Sequence, residues 1–400
     1  MPGPLPSLAA RPGRWGQTFL PMVALLVLVG MWSGQVAAGA GTPSELVPGE
    51  VWLDTEGHPI NAHGGGVLSH DGVYYWYGEF KTGRTYLPDC NKSWGGTRVD
   101  TVGVSCYSST NLYDWKNDGI VLAAVPEDPQ GDLHPSKVLE RPKVVYNRTT
   151  KQFVMWMHID STSYAAARAG VAVSETPTGP FKYLGSFRPN AETWPEGATE
   201  AERTPASTNY LARDFKTGQM ARDLTVFVDD DGHAWLFYSS EENPTMHVSL
   251  LTDDYLHTAG KYQRIFVGRS MEAPTVFKHG GKYYVIASGC SAWAPNAARS
   301  AVADNIMGPW TELGNPCAGA EADKTFRSQS TFVLPLPGRA DAFVFMADRW
   351  NQWNLPDSRY VWLPLEFSPE GKPVLHWHDR WSWGAGSGGG KLALQNNPAP

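Results

Sequence analysis

Five polar residues recur at one position of a repeated pattern in this sequence. His63, Glu140, Asp223, Glu272 and Gln329 each precede a short apolar run, and a turn follows them after 8, 8, 8, 8 and 9 residues. A fixed offset in five copies predicts equivalent positions in a repeated structure. Three of these residues are carboxylates, so a pocket that gathers them could give protons to a substrate and take protons from it, which is general acid–base chemistry.

The elements that must position these residues are predicted β-hairpins. In the fourth copy a strand runs to about Lys278, Gly280-Gly281 form the turn, and Tyr283–Ala287 return. Two further strands follow each hairpin, so each repeat predicts a four-stranded unit. Five units over residues 47–382 predict an all-β fold, a five-bladed β-propeller. One or two β-sandwiches are the alternative, but they do not explain the fixed offset.

In a propeller the innermost strands line the central axis, so we expect the five polar residues to meet at one mouth of the channel. Burying charged carboxylates in a pocket with aromatic walls destabilises a protein unless each has a partner or takes part in its chemistry. Glycoside hydrolysis uses such groups, because a carboxylic acid protonates the leaving oxygen. In an inverting enzyme a second group activates water from the opposite face, about 6.5–9.5 Å away.

Residues 1–40 match a secretory signal peptide. Arg11 and Arg14 precede the apolar run Phe19–Trp32, and small residues follow at 36–40. The run is shorter than the roughly 20 residues of a membrane span, although an uncleaved N-terminal anchor is the alternative. We therefore expect a secreted or Golgi-lumenal protein, with no stable membrane insertion unless this segment is retained. The glycine-rich residues 383–400 predict a disordered tail.

The four cysteines and two sequons fit a secreted protein. Sequence proximity suggests the disulfides Cys90–Cys106 and Cys290–Cys317, although three connectivities are possible. The sequons begin at Asn91 and Asn147, and a glycan on Asn147 is expected to be exposed because this residue falls at a predicted turn. Long loops are predicted at Pro88–Arg98 and Phe187–Leu211.

The sequence resembles glycoside hydrolase family 43, and within it the exo-β-1,3-galactanase branch. The resemblance covers about Val47 to Trp381. It is carried by Asn61-Ala62-His63-Gly64-Gly65-Gly66, Tyr75-Trp76-Tyr77-Gly78-Glu79, Glu140-Arg141-Pro142-Lys143-Val144, Arg222-Asp223-Leu224, Glu272-Ala273-Pro274, Trp293-Ala294-Pro295-Asn296, Gln329-Ser330-Thr331-Phe332 and Asp348-Arg349-Trp350.

The resemblance implies roles for three residues. Glu272 would be the general acid, and Glu140 would tune that acid and position the substrate. Most of the family carries an aspartate base at the opening of the first blade, which reads Ala62-His63-Gly64-Gly65 here. The branch shares this absence, and Gln329 would hold or activate the water. Further positions that match sugar contacts, including two aromatic platforms, are Glu79, Tyr164, Asp223, Asn243, Ser291, Trp293 and Trp350.

Purely structural roles are the alternatives for several of these residues. Glu140 could form an ion pair with Arg141 or Arg222, and Asp223 could pair with its neighbour Arg222. His63 is expected to fix the glycine turn that follows it and not to take part in chemistry.

The sequence favours a monomeric enzyme that releases galactose from β-1,3-galactan or arabinogalactan. The alternatives are an α-L-arabinofuranosidase or β-xylosidase of the same family, and a non-catalytic carbohydrate-binding propeller. The net charge of −7 argues against a nucleic-acid partner. The 11 histidines lack the spacing of zinc ligands and no dinucleotide or phosphate fingerprint occurs, so we expect no metal and no cofactor.

Overall fold

The computed structural model describes Gly3 and residues 45–87, 97–339 and 341–383, and nearly all regular structure there is β-strand. The strands, sheet by sheet, are β1 (His63–His70), β2 (Val73–Tyr86), β3 (Arg98–Ser109) and β4 (Lys116–Ala123); β5 (Val138–Asn147), β6 (Gln152–Asp160), β7 (Arg168–Ser174) and β8 (Lys182–Phe187); β9 (Leu224–Val228), β10 (Ala234–Ser240), β11 (Thr245–Leu251) and β12 (Thr258–Ile265); β13 (Met271–His279), β14 (Lys282–Gly289), β15 (Arg299–Ala303) and β16 (Thr311–Gly314); and β17 (Cys317–Ala318), β18 (Gln329–Pro335), β19 (Phe343–Arg349), β20 (Arg359–Phe367) and β21 (Pro373–His376).

The helices in these residues are short. They are α1 (Glu200–Arg203), α2 (Tyr210–Arg213) and two 3₁₀ turns at Ala322–Arg327 and Leu355–Asp357. Both α-helices lie between β8 and β9, so the predicted loop Phe187–Leu211 contains α1 and the start of α2. Among the described residues we find no helix that is long and apolar enough to cross a bilayer.

Each sheet is an antiparallel meander that follows chain order. The fifth sheet adds β17, which pairs in parallel with the outermost strand β21. The innermost strands β1, β5, β9, β13 and β18 contact one another in sequence, and β18 contacts β1 to complete the ring. The predicted five-bladed β-propeller and its five hairpins are therefore confirmed.

The hairpin turns follow from local chemistry. Asp71 and Gly72 join β1 to β2 with φ angles of 50° and 79°, and Gly280 and Gly281 join β13 to β14 with 56° and 77°. A positive φ at both central residues defines the type I′ turn, whose twist matches that of the flanking strands and which favours glycine and aspartate. These tight turns keep β1 paired with β2, and β13 paired with β14, to the last residue of each innermost strand.

Apolar side chains between neighbouring blades hold the ring together. Five buried clusters each join two successive sheets. The cluster that joins the first and fifth sheets contains Trp76, Trp115 and Trp362, each only 1% exposed. Leu46 and Trp381 form a backbone bridge beside it. Burying each such side chain stabilises the fold by about 2–3 kcal/mol, so the ring is closed mainly by apolar packing.

Asp348, near the end of β19, links the fifth blade to the first. Its carboxylate accepts hydrogen bonds from His63 Nδ1 at 3.0 Å and from the Gly64 amide at 2.9 Å. His63 is 1% exposed and contacts Asp348, which holds the Gly64 amide, so it acts on the glycine turn through Asp348 and has a structural role.

We expect Asp348→Ala to lower the free energy of unfolding by about 3 kcal/mol, because it leaves a buried imidazole and a buried amide without an acceptor. Urea denaturation measures this loss. Asp304→Ala is the control, because it removes only an exposed ion pair with Lys282 and should change stability by less than about 0.5 kcal/mol. Equal losses in the two variants would contradict the assignment.

Two sequence predictions that bear on covalent modification are wrong, namely the Cys290–Cys317 pairing and the exposure of Asn147. Cys290 and Cys317 carry free thiols, the first exposed at the end of β14 and the second buried on β17 at the outer edge of the next blade. Proximity in sequence does not bring the ends of different blades together. Asn147 is 2% exposed and its Nδ2 donates to the Asp253 carbonyl at 2.7 Å, so the nitrogen that would carry a glycan is buried.

Several other predictions fall on residues outside the described ranges. These are the signal peptide other than Gly3, the tail from residue 384, the sequon at Asn91, loop residues 88–96, and Cys90. Cys106, its predicted partner, is a free thiol buried in β3.

Candidate active site

A cavity of about 390 Å³ lies at the mouth of the propeller axis where the innermost strands begin. Four of the five repeated polar residues line it, and His63 is the exception. The full lining is Glu79, Glu140, Arg141, His158, Ser163, Tyr164, Arg222, Asp223, Asn243, Glu272, Cys290, Ala292, Trp293, Gln329 and Trp350. The repeat therefore predicted the convergence.

Backbone bulges that contain a left-handed residue shape this mouth in three blades, and a fourth register shift lies between Ser330 and Phe332. The strand register shifts between His63 and Gly66, between Glu140 and Lys143, and between Glu272 and Thr275. The residue after each polar side chain has a left-handed φ, which is 62° at Gly64, 56° at Arg141 and 53° at Ala273. A bulge bends its strand and re-aims nearby side chains, and such strain in non-glycine residues concentrates at functional sites. The bulges thus aim Glu140 and Glu272 into the cavity.

Glu272, near the start of β13, is held as a neutral acid. Gln329 Nε2 donates to its Oε1 at 3.2 Å. Burial, followed by the negative charge of Asp223, raises the pKa of Glu272 to about 8, against the opposing charge of Arg141. A carboxylic acid that keeps its proton at neutral pH is suited to proton donation.

Glu140, in the bulge of β5, is held as an anion. Tyr164 Oη donates to its Oε1 at 2.7 Å, and His158 Nδ1 lies 3.3 Å from its Oε2. Burial alone would raise the pKa of Glu140, but the hydrogen bond and charge of His158, assisted by Lys81, lower it to about 2.

His158 is correspondingly cationic. Burial disfavours its charge, but Asp160, 3.0 Å from Nε2, and Glu140 together raise its pKa to about 9. The structural alternative for Glu140, an ion pair with Arg141 or Arg222, does not form, because His158 of the adjacent strand β6 takes that place. Antiparallel pairing sets Glu140 directly opposite His158.

Arg141 organises the other half of the cavity. Its Nη2 lies 3.1 Å from Asp223 Oδ2 and donates to Gln329 Oε1 at 2.6 Å, and its Nη1 donates to the Ser330 carbonyl at 3.1 Å. The Ala273 amide also donates to Asp223 Oδ2, at 3.0 Å. The alternative pair of Asp223 with its neighbour Arg222 does not form, since Asp223 pairs with Arg141 across the channel.

Glu79 and Lys81 of β2 form the third charged group. Glu79 is 2% exposed, its Oε2 lies 2.6 Å from Lys81 Nζ, and its Oε1 accepts from the Arg141 amide at 2.9 Å. Lys81 Nζ also lies 5.6 Å and 5.7 Å from the ring centroids of Trp293 and Trp350, which favours a cation–π contact with each. The two indoles cross at 74° and form one aromatic wall of the cavity.

Nine of the ten residues predicted for the site line the cavity. Ser291 does not, because its hydroxyl donates to the Ala294 carbonyl at 2.6 Å and accepts from Asn296 Nδ2 at 2.5 Å within its own loop. The sequence interpretation missed His158 and Cys290 and treated Arg141 only as a neighbour of Glu140. The pairing of β5 with β6 could have indicated His158, but no sequence signal marked Cys290.

One group in the cavity has the geometry of a metal site. Ligand atoms of Glu140, His158 and Asp223 lie within 4.8 Å of one another. However, His158 is held protonated and Arg141 already neutralises Asp223, so a metal ion would have to displace a proton and an arginine. The prediction that the protein needs no metal stays a prediction.

Comparisons with known proteins agree with this geometry. The profile of glycosyl hydrolases family 43 matches residues 67–373. A search of curated protein sequences found no match. Among solved structures, a GH43 β-1,3-galactosidase with galactodeoxynojirimycin shares 46% identity over 84% of this chain and all of that chain, with a TM-score of 0.77.

Two exo-β-1,3-galactanases are also similar. The Phanerochaete chrysosporium enzyme, solved with β-1,3-galactotriose, shares 33% identity over 85% of this chain and 68% of that chain, with a TM-score of 0.69. The Clostridium thermocellum enzyme shares 36% identity over 85% of this chain and 66% of that chain, with a TM-score of 0.70.

Proposed function

We infer the reaction of this chain from its family, because it belongs to glycosyl hydrolase family 43. It is a glycoside hydrolase. Specifically, it is an inverting exo-glycosidase that hydrolyses β-1,3-galactosidic linkages of galactan or arabinogalactan and releases galactose. The observation that carries this conclusion is that Glu272 and Glu140 line one cavity, where Gln329 donates to the first and Tyr164 to the second, on a chain that is 46% identical to a β-1,3-galactosidase.

We propose that Glu272 is the general acid and that Glu140 tunes it. The anionic Asp223 and Glu140 both raise the pKa of Glu272, which keeps the proton on the acid near neutral pH. Glu140 also offers the sugar an ionised acceptor, since His158 and Tyr164 hold its carboxylate in place. Trp293 and Trp350 supply an apolar wall for the face of the sugar ring.

Cleavage at a chain end is supported by the relatives, because the similar Phanerochaete chrysosporium and Clostridium thermocellum structures are exo-β-1,3-galactanases. Lys143 of β5 is fully buried, and its Nζ donates to the Gly64 carbonyl at 2.7 Å, so it joins the first two blades.

The first blade distinguishes this site from the alternative arabinofuranosidase or xylosidase, for which an aspartate base is expected there. His63 faces Asp348 and not the cavity. A Cβ atom on Gly64 would lie 2.1 Å from Glu79 Oε1, so Glu79 already fills the space beside that position. A side chain at Gly64 would therefore require Glu79 to move.

The test is proton NMR of the protein acting on β-1,3-galactan. We expect α-galactose to be the first anomer released, because inversion converts the β-linkage into the α-anomer. Release of β-galactose first would contradict inversion. Binding of the polysaccharide without any release would favour the non-catalytic propeller, whereas release of arabinose or xylose from matched substrates would favour the other activities of the family.

The raised pKa of Glu272 also predicts the pH dependence of turnover. Below about pH 8 the acid is protonated and active, and above about pH 8 it ionises. We expect kcat/KM to fall by about tenfold for each further pH unit once this single proton is lost. A profile of kcat/KM from pH 5 to 10 measures this alkaline limb, the fall in activity above pH 8. A flat profile through pH 8–10 would contradict the assignment of Glu272 as the acid.

A further inference from the structure

A second pocket, of about 380 Å³, adjoins the catalytic cavity and has nearly the same volume. Its lining comes from the loop after β6, from residues 188–222 between β8 and β9, and from the turn between β10 and β11. The charged residues of this lining are Arg188, Arg213, Arg222, Asp214 and Glu242. We call this space the arginine pocket.

One guanidinium group separates the arginine pocket from the cavity. Arg222 Nη1 donates to Asn243 Oδ1 of the cavity at 3.2 Å, and Arg222 Nη2 donates to Glu242 Oε2 of the arginine pocket at 3.0 Å. Tyr164 spans the same boundary, because its Oη donates to Glu140 at 2.7 Å and its carbonyl accepts from Arg222 Nη2 at 2.8 Å. The two spaces are therefore neighbours, divided by the width of one side chain.

The turn between β10 and β11 is held in a strained conformation at this boundary. Glu241, Glu242 and Asn243 have left-handed φ angles of 54°, 62° and 74°. The buried Glu241 anchors the turn, because Arg264 donates to both of its carboxylate oxygens, at 2.6 Å and 2.8 Å. Left-handed residues other than glycine destabilise the backbone, and such strain concentrates at functional sites. The strained turn places Glu242 and Asn243 on the two sides of Arg222.

Two of the three arginines occupy both carboxylates of the arginine pocket. Arg213 holds Asp214 with two hydrogen bonds of 2.8 Å, and its Nη1 donates to Glu242 Oε1 at 3.0 Å. Arg222 shares Glu242 with Arg213. Asp160 also lies 4.0 Å from Arg222 Nε, but it pairs with His158 at 3.0 Å and does not line the pocket.

The third arginine, Arg188, is held mainly by neutral groups. Its Nε donates to the Ala166 carbonyl at 2.9 Å, and its Nη2 donates to the Ala165 carbonyl at 3.0 Å. Among the described residues, the one carboxylate within 4.0 Å of Arg188 is Asp214, whose Oδ1 lies 3.5 Å from Nη1 and already accepts from Arg213. The lining of the arginine pocket therefore carries one positive charge more than its carboxylates neutralise.

This excess charge favours an anionic ligand. Guanidinium groups bind anions through paired hydrogen bonds, and Arg213 with Asp214 shows that geometry within the pocket. The carboxylate of Glu242 is partly exposed, so it can also accept hydrogen bonds from hydroxyl groups. A sugar that carries an acidic group combines both properties, and the volume of the pocket matches that of the cavity beside it.

We propose that the arginine pocket binds an acidic sugar on a branch of the galactan chain, an inference that rests on the proposed function. The anion is the carboxylate of a uronic acid or a sulfate ester, and it pairs with Arg188 and Arg213. The galactose at the chain end occupies the cavity on the other side of Arg222. The enzyme therefore prefers an acidic arabinogalactan to a neutral one.

The test compares two substrates that differ only in charge. One is an arabinogalactan that contains uronic acid, and the other is the same polysaccharide after its carboxylates have been reduced to alcohols. We expect kcat/KM to be about tenfold higher on the acidic form, as for one charge-assisted hydrogen bond. This preference should weaken as salt is added. Equal values of kcat/KM on the two forms would overturn a uronic acid as the ligand.

Two substitutions in the pocket should change this preference in opposite directions. Arg213→Gln removes a positive charge, so the ratio of kcat/KM on the two forms should fall to about one. Glu242→Gln removes a negative charge and keeps an oxygen that can accept from Arg213, so the ratio should rise. A general loss of folded or active protein cancels in this ratio, so a purely structural role of either residue would leave it unchanged.

Arg269→Gln is the matched control. It also removes one positive charge, but Arg269 forms an exposed pair with Glu312 and does not line the arginine pocket. The ratio should stay at the value of the unmodified protein. A fall in the ratio equal to that of Arg213→Gln would show that only the net charge of the protein matters and would overturn the proposal.

Binding of small sugars tests the pocket without turnover. We expect calorimetric titration to detect methyl β-glucuronoside and not its neutral counterpart methyl β-glucoside, with about tenfold weaker binding to Arg213→Gln. Binding of glucose 6-sulfate in place of the glucuronoside, with the same loss in Arg213→Gln, would identify a sulfate ester as the anion. Binding of neither anionic sugar would overturn the proposal. If the glucuronoside bound but no galactan released galactose, the proposed function would fail and the arginine pocket would remain a site for acidic sugars.

Discussion

Glu272→Gln is expected to lower kcat/KM on β-1,3-galactan by about 10³-fold, within the range for a positioned proton donor. Glutamine keeps the shape of the side chain and can still accept the hydrogen bond from Gln329. It cannot release a proton to the leaving oxygen, so chemistry should slow while substrate binding is largely preserved. The measurement is galactose release together with the affinity for galacto-oligosaccharides.

The control for this variant is Glu312→Gln in the same blade. Glu312 forms an exposed pair with Arg269, at 2.7 Å, far from the cavity lining. It should leave turnover unchanged. If Glu272→Gln lost affinity and kept kcat, Glu272 would be a binding residue and not the acid.

The same substitution should make the protein more stable at alkaline pH. A free glutamate ionises near pH 4.5, whereas folded Glu272 keeps its proton to about pH 8. Between these values the unfolded state releases a proton that the folded state retains, so the carboxyl lowers stability progressively as pH rises. Glutamine has no such cost. The gain in Tm of Glu272→Gln should therefore be small at pH 4.5 and larger at pH 8, and a constant difference would contradict the raised pKa.

The fold was predictable because its signal repeats. Each blade needs nearly the same number of residues from the channel mouth to the turn of its innermost hairpin. The offset is therefore retained although the blades differ in sequence, and it marks His63, Glu140, Asp223, Glu272 and Gln329. One repeat alone would have been an ordinary hairpin. Contacts that occur once had no such support, and the Cys290–Cys317 pairing failed because both residues belong to loops or edges whose neighbours the repeat does not fix.

The site was predictable as a set of residues but not as a set of pairs. Neighbours in sequence point to different sides of a strand, and the bulges then turn Glu140 and Arg141 toward different partners. Glu140 meets His158 on the adjacent strand, and Arg141 crosses the channel to Asp223. Only the register of the hairpin and the position of the bulge determine these pairs, and neither can be read from the side chains alone.

This pairing makes Glu140→Gln the second substitution with a large expected effect. The change removes an anionic acceptor from the cavity and leaves the buried cation of His158 with Asp160 as its remaining carboxylate partner. A hydrogen bond to a charged group contributes about 1.5–3 kcal/mol, so we expect a loss of about 10²-fold in kcat/KM on galactan. A loss below threefold would show that the sugar does not use this carboxylate.

The pH profile of Glu140→Gln distinguishes tuning from binding. The charge of Glu140 raises the pKa of Glu272, so its removal should move the alkaline fall in activity to lower pH. Tyr164→Phe is the control, because it removes one hydrogen bond to Glu140 Oε1 and leaves the charge in place. It should lower activity by no more than about tenfold and leave the limb close to its original position. If both variants lost activity and the alkaline fall stayed at the same pH, Glu140 would bind the sugar without tuning Glu272. Burial, Asp223, Arg141 and Cys290 would then set the pKa of the acid.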